Sequence, residues 1–227
     1  MINKILLLIT LLFPISAKGT ETITLTKDNH VYIDSEITDE LVSKISKQLV
    51  ILSSKRKDES IPLYIVLNSP GGSVFAGESF IQFVKHIKNI HTISIFAASM
   101  AHAIVQGLPG KRYGTEHSLL MAHRAKGNFS GQFETGEVES LLQVLKNYVK
   151  RLEQRAANRI GISLEKYKQK IIGEWWSTSE ESIEENILDE IVEVKCSKYL
   201  METVYKDKIE TIFGTMEVIK SLCPMMP

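Results

Sequence analysis

Ile61-Pro62-Leu63-Tyr64-Ile65-Val66-Leu67-Asn68-Ser69-Pro70-Gly71-Gly72 decides the fold class. From Ile61 to Leu67 it is a nearly continuous apolar run of strand length, with Pro62 confined to its beginning, where a missing N–H costs the ladder least. A strand with one wet face alternates apolar and polar residues, whereas a strand covered on both faces, as in a parallel sheet, does not. Beyond the glycines, Ala76, Phe80, Phe83, Val84 and Ile87 repeat at helical spacing, and His91 to Phe96 read as the next strand. Together these make one β-turn-α-β unit.

Toward the N-terminus, Thr22 to Thr26 alternates as a half-buried strand does, Lys27-Asp28-Asn29-His30 supplies turn chemistry, and Val31-Tyr32-Ile33 forms a second strand. Leu41, Ile45, Leu49 and Leu52 then predict a helix that Thr38 can cap. Toward the C-terminus, a strand from Ser118 to Met121 runs into Ala122-His123. Val138, Leu141, Leu142, Leu145, Val149, Leu152 and Ala156 trace one face of a long helix. Thr178-Ser179-Glu180-Glu181 has capping-box spacing, Asn186 can close that helix in a left-handed conformation, and Ile187 to Val194 reads as a last strand. The expectation is a single α/β domain with a projecting helix, followed by a mixed amphipathic, partly helical tail over residues 195–227.

The chain has 227 residues, 44% hydrophobic and 24% charged, enough for one good core. Lys+Arg and Asp+Glu both number 27, so no net field recommends nucleic acid as a partner. Cys196 and Cys223 lie in no CxxC and near no histidine, so neither a metal site nor a redox pair is expected, and no cofactor is called for. The two can form one disulfide in an oxidising compartment. Lys4, the apolar run Ile5 to Phe13 broken only by Thr10, and Pro14-Ile15-Ser16-Ala17 read as a secretory signal peptide over residues 1–17, cut after Ala17. An uncleaved anchor or a buried first strand are the alternatives, although the run is short of the roughly 20 apolar residues that span a bilayer. Export places the mature chain in the periplasm or outside the cell; without it the chain is cytoplasmic.

Three short segments carry chemistry. Gly71 and Gly72 allow backbone conformations and close approaches that other residues forbid, and exposed N–H groups there can receive an oxyanion; a plain tight turn is the competing reading. Ala97-Ala98-Ser99-Met100-Ala101 lies between a strand and a helical stretch, so Ser99 presents its hydroxyl at a helix N-terminus, either as a nucleophile on a sharp turn or as a helix cap. His123 ends an apolar strand, a place suited either to a general base for a serine or to a structural, hydrogen-bonded histidine.

The order of Ile37-Thr38-Asp39-Glu40, Leu63 to Asn68 with Ser69-Pro70-Gly71-Gly72, Ala97-Ala98-Ser99-Met100-Ala101 and Met121-Ala122-His123 resembles the Clp protease proteolytic subunit family. The long helix and the ending Ser179-Glu180-Glu181 to Ile187-Leu188-Asp189 extend the resemblance over residues 22 to 194, within a domain placed at 18–194. It implies the Clp-protease/crotonase-like fold, stacked β-α-β units with a projecting handle helix. It implies a serine endopeptidase with Ser99 as nucleophile, His123 as base and then acid, and oxyanion N–H groups from Gly72 and Met100. Counting back from Ile187-Leu188-Asp189, the family's catalytic Asp falls on Glu174, whose extra methylene moves the acceptor; a surface glutamate beside Trp175-Trp176 is the competing reading, and Asp189 is the fallback acid.

Two departures stand out: Ser94-Ile95-Phe96 replaces a segment where the family has a Gly before the Ala-Ala-Ser, and Arg124-Ala125 replaces Gln-Pro after the histidine. The resemblance also implies homo-oligomeric rings and peptide or unfolded-protein substrates. An ATP-driven unfoldase does not suit an exported chain that has no Walker motif, so short or already unfolded polypeptides are the expected substrates. Three rival readings are a Ser-Lys protease using Lys111 or Lys126, an acyl-CoA enzyme of the crotonase type, and an inactive subunit.

Overall fold

The computed structural model describes residues 21–127, 134, 136–211 and 214–225; the expected export segment, residues 1–17, lies outside them. Strands β1 (Thr22–Leu25) and β2 (His30–Ile33) flank a turn closed by Asn29, whose side chain accepts from the Thr26 N–H and donates to the Thr24 carbonyl. Helix α1 (Asp39–Lys55) is capped by Thr38, whose hydroxyl accepts from the Leu41 N–H. Its acidic first turn and basic last turn suit the helix dipole.

The deciding stretch becomes β3 (Leu63–Ser69), and its lack of alternation has a simple cause. Leu63, Ile65 and Leu67 enter one hydrophobic core, shared with helices α1 and α2 (Val74–Val84), while Tyr64 and Val66 enter a second core on the opposite face. Strand β4 (Ile90–Ala98), helix α3 (Met100–Gly107) and strand β5 (Arg112–His123) follow. Then come α4 (Glu137–Ile160), α5 (Leu164–Lys170), β6 (Glu174–Thr178), α6 (Ser179–Glu184), β7 (Glu190–Ile191) and β8 (Glu193–Cys196). The central sheet runs β2-β3-β4-β5-β6 with β7 also on β5; β2 through β5 are parallel and β6 is antiparallel to β5. This is the expected α/β architecture of stacked β-α-β units.

Helix α4 projects. Only Ala156, Ala157 and Ile160, near its C-terminal end, are buried, whereas Leu141 and Val144 are 39% and 45% exposed. Its docked end is held by Arg155, which donates two hydrogen bonds, of 2.9 and 3.0 Å, to the buried Glu78 on α2.

The structure departs from the sequence reading at β5, β6 and the C-terminal strands. Strand β5 starts six residues before the expected Ser118, because the charged Arg112 hides a buried position rather than a surface one. The Trp175-Trp176 stretch is a strand, pairing antiparallel with the end of β5. The expected strand from Ile187 to Val194 divides: β7 joins β5, while β8 pairs parallel with β1 and ties the two ends of the domain together. In the tail, a five-residue helix, α7 (Lys198–Glu202), precedes an antiparallel hairpin of β9 (Val204–Thr211) and β10 (Gly214–Ser221). The Cys196–Cys223 disulfide fastens this tail to β8, and Leu200 and Cys223 complete the second core.

Candidate active site

The C-terminal ends of β3, β4 and β5 converge on Ser99. Between β4 and α3 the chain must turn within one residue, and Ser99 takes φ 55° and ψ −116°, a conformation side chains rarely adopt. The cost is sustained by the packing of Ala97, Ala98, Met100 and Ala101, all buried, and by a 2.8 Å bond from the Ser99 N–H to the Met121 carbonyl. The hydroxyl makes no helix-cap bond. Instead it lies 2.8 Å from Nε2 of His123, the last residue of β5. A cap would turn the oxygen back on its own helix; here it faces an imidazole, the geometry needed for proton removal.

Gly71 packs directly onto this turn. At φ 99°, a Cβ added to it would stand 2.7 Å from Ser99 Cβ and 2.8 Å from the Met100 nitrogen, so only glycine fits. The next residue, Gly72, at φ 147°, bridges to Ile37: the Ile37 N–H donates to Gly71 O and the Ser73 N–H to Ile37 O. That pattern turns the N–H of Gly72 itself away from Ile37. The Met100 N–H opens α3 and has no acceptor inside the helix. Sequence reasoning named Gly72 and Met100 as oxyanion donors; the residue whose backbone touches Ser99 is Gly71.

The acid is where the geometry is incomplete. Glu174 lies directly across the β5–β6 ladder from His123. Its carboxylate, however, accepts from Trp176 Nε1 at 3.0 Å, and His123 Nδ1 is buried with no hydrogen-bond partner. Trp176 in turn stacks on Phe96, with ring centroids 6.4 Å apart. The fallback, Asp189, is committed elsewhere, accepting from the Arg112 N–H and Nε at 2.8 and 3.2 Å. Burial pushes its carboxyl up, but the hydrogen bonds from Arg112 and the charges of Arg112 and Arg159 hold it below the ordinary carboxylate value. Lys111, the Ser-Lys candidate, is paired with Glu190 at 3.1 Å. No bond to Ser99 is made by Lys111 or Lys126 among the described residues.

The departure at Ser94-Ile95-Phe96 has a structural form. Strand β3 pairs Leu67 with Ser94 and Asn68 with Phe96, and β5 pairs Ser94 with Gly114 and Phe96 with Leu119, so Ile95 is skipped on both sides. A bulge of this kind re-aims the strand just before the Ser99 turn.

Beside Ser99 opens a cavity lined by Met100, Ala122, His123, Val149, Leu152 and Ile171, with three polar groups that sequence reasoning missed: His102, Glu153 and Tyr167. His102 is fully enclosed, and its imidazole is pushed down to about 4, first by burial and then by the charge of Arg112. Glu153 was visible as an acid inside the apolar stripe Val149, Leu152, Ala156 of α4. Burial pushes its carboxyl up, against the opposing charges of Lys168 and Arg124.

Comparison with known proteins identifies the family. Residues 18–195 match the family model described as Clp protease. The chain is also similar to the ATP-dependent Clp protease proteolytic subunit 2 of Thermobifida fusca (strain YX), 30% identical over 167 residues that cover 71% of this chain and 79% of that protein.

Proposed function

The chain belongs to the Clp protease family, and from that premise we propose that it is a serine endopeptidase in which Ser99 attacks the peptide carbonyl and His123 serves as base and then acid. The 2.8 Å contact between His123 Nε2 and the Ser99 hydroxyl carries this reading. Nε2 takes the hydroxyl proton as Oγ attacks; the same imidazolium then protonates the leaving amine, and water reverses the sequence on the acyl-enzyme. The N–H groups of Gly72 and Met100 receive the developing oxyanion, with Gly71 holding that strand end against the nucleophile.

Glu174 completes the triad by turning its carboxylate from Trp176 to the unpartnered His123 Nδ1 opposite. Glu174→Gln is therefore expected to lower kcat by roughly 10³-fold, somewhat less than loss of an acid already seated on its histidine. Trp176→Phe removes the competing donor and is expected to leave kcat unchanged or raise it. A wild-type rate for Glu174→Gln would reduce the machinery to a Ser-His pair.

The chain works as a homo-oligomeric ring on short or unfolded polypeptides, as its family does, with the projecting half of α4 and its exposed Leu141 and Val144 as the surface between copies. Steady-state hydrolysis of a fluorogenic peptide, run beside the mass of the protein in solution, tests both statements. Cleavage by a multimer is expected, and a strictly monomeric, inert protein would count against them. An acyl-CoA enzyme of the crotonase type has no use for the Ser99–His123 pair.

Export to the periplasm or beyond, by the segment at residues 1–17, is supported by the Cys196–Cys223 bridge, since such bonds persist in oxidising compartments. In that setting the substrates reach the site without an ATP-driven unfoldase. The bridge closes a loop with a sequence separation of 27, for which chain entropy predicts about 3–4 kcal/mol of stabilisation. Cys196→Ser is expected to make the tail beyond β8 sensitive to limited proteolysis while the domain before it stays resistant. Equal resistance of both proteins would show that packing alone holds the tail.

A further inference from the structure

The cavity beside Ser99 differs from a plain apolar pocket in the groups that line it. Glu153 presents a carboxylate with its side chain only 15% exposed, and its ion-pair partner, Lys168 Nζ, stands 3.9 Å away and is itself 47% exposed. At that separation the pair is loose, and although the charge of Arg124 also acts on the carboxylate, no hydrogen bond to Glu153 is made among the described residues, so a partly buried anion is left without a hydrogen-bonded partner. His102 lines the same cavity, is 2% exposed, and has an Nε2 without a hydrogen-bond partner. As a neutral imidazole it can offer that nitrogen as an acceptor. Tyr167, buried at 5%, adds a hydroxyl-bearing ring to the lining.

The rest of the lining is apolar. Val74, Val149, Leu152 and Ile171 line the same cavity as Ser99, His123 and Glu153. The cavity's open volume is about 60 Å³, room for part of a long aliphatic stem ending in a cation, whose methylenes cover the apolar lining and whose head reaches the acid as Lys168 moves aside. An apolar side chain would leave the carboxylate desolvated and unpaired, and an acidic one would add a like charge in a low-dielectric space.

We propose that this cavity receives the side chain of the residue whose carbonyl is attacked, and that Glu153 selects lysine or arginine there. The proposal rests on Ser99 being the nucleophile. A ligand cation displaces Lys168, which swings to solvent from its half-exposed position, and the polar lining around His102 favours a donor over an acceptor.

The test uses the full-length protein and matched peptidyl diphenyl phosphonates that differ only in carrying a lysine-, leucine- or glutamate-like side chain next to phosphorus, alongside a small alkyl fluorophosphonate with no such side chain. The lysine compound is expected to label at least roughly tenfold faster than the leucine one, with the glutamate compound slowest. Glu153→Gln is expected to bring the lysine-to-leucine ratio close to one. Faster labelling by the leucine compound in the wild-type protein overturns the inference without any variant, and so does a ratio unchanged by Glu153→Gln. If the small fluorophosphonate labels Ser99 while the lysine compound is slow, the selectivity alone is wrong. If neither labels, the nucleophile assignment and the selectivity fail together.

Discussion

Ser99→Ala and His123→Ala are each expected to lower kcat for a peptide substrate by roughly 10⁴- to 10⁶-fold, and the double variant to be hardly worse than either single one. In the proposed mechanism the two side chains act as one unit. The hydroxyl is a poor nucleophile until Nε2, at 2.8 Å, takes its proton, and without the hydroxyl the imidazole has nothing to deprotonate. Neither substitution should disturb the fold. Ser99 makes no cap bond and holds its turn through a backbone bond to Met121, so its hydroxyl is dispensable for structure. Alanine at this φ retains the strain that serine already bears. Steady-state kinetics with thermal melting as a folding control checks both points. Additive losses in the double variant would mean that the two residues serve different steps.

The largest effect on stability is expected from Arg112→Met. This guanidinium, 2% exposed at the start of β5, donates to Gln106 Oε1 and the Asn186 carbonyl at 2.8 Å each, to Asn186 Oδ1 at 3.1 Å, and to Asp189. It thereby joins the end of α3, the left-handed turn at Asn186 and the approach to β7. Methionine fills the stem's volume but takes the guanidinium donor from the Gln106 oxygen and leaves the 29%-exposed Asp189 carboxylate with only the main-chain N–H of residue 112 and Arg159, at a cost of about 3 kcal/mol. That is a large part of the 5–15 kcal/mol typical of a domain. Urea denaturation should show a lower midpoint at an unchanged slope.

The same network predicts a pH dependence. Asp189 has a folded value held below its unfolded one, so the stability it contributes is fully present above the ordinary carboxylate range and is lost as pH falls through the lower folded value. Arg112→Met should flatten that acid limb. An acid limb identical to the wild type's would remove Asp189 from the account.

The parts of the fold that the sequence made legible are those governed by local or periodic rules. Leu63 to Leu67 advertised a doubly covered strand because both faces of β3 meet a core. The Thr38 cap, the Thr178–Glu181 box and the left-handed Asn186 were readable because each depends on neighbours within four residues. What escaped depends on distant partners. Arg112 lies buried only because its guanidinium pairs with Asp189, 77 positions away. Trp175 and Trp176 lacked alternation, yet they form a strand because the end of β5 offers an open edge.

At the site, Ser99 and His123 came from motif order, and the structure brought them together. Glu174 came from counting residues. Counting fixed its place across from His123 but not the direction of its carboxylate, which Trp176 decides. His102 and Glu153 belonged to no motif, and only the packing of α3 against α4 puts them around one cavity.

Reaction with a fluorophosphonate, followed by peptide mass mapping, tests the central claim most directly. The account predicts a single adduct on Ser99 in the wild-type oligomer, absent in Ser99→Ala and formed far more slowly in His123→Ala. An unlabelled wild-type oligomer, or His123→Ala labelling at the wild-type rate, would contradict it.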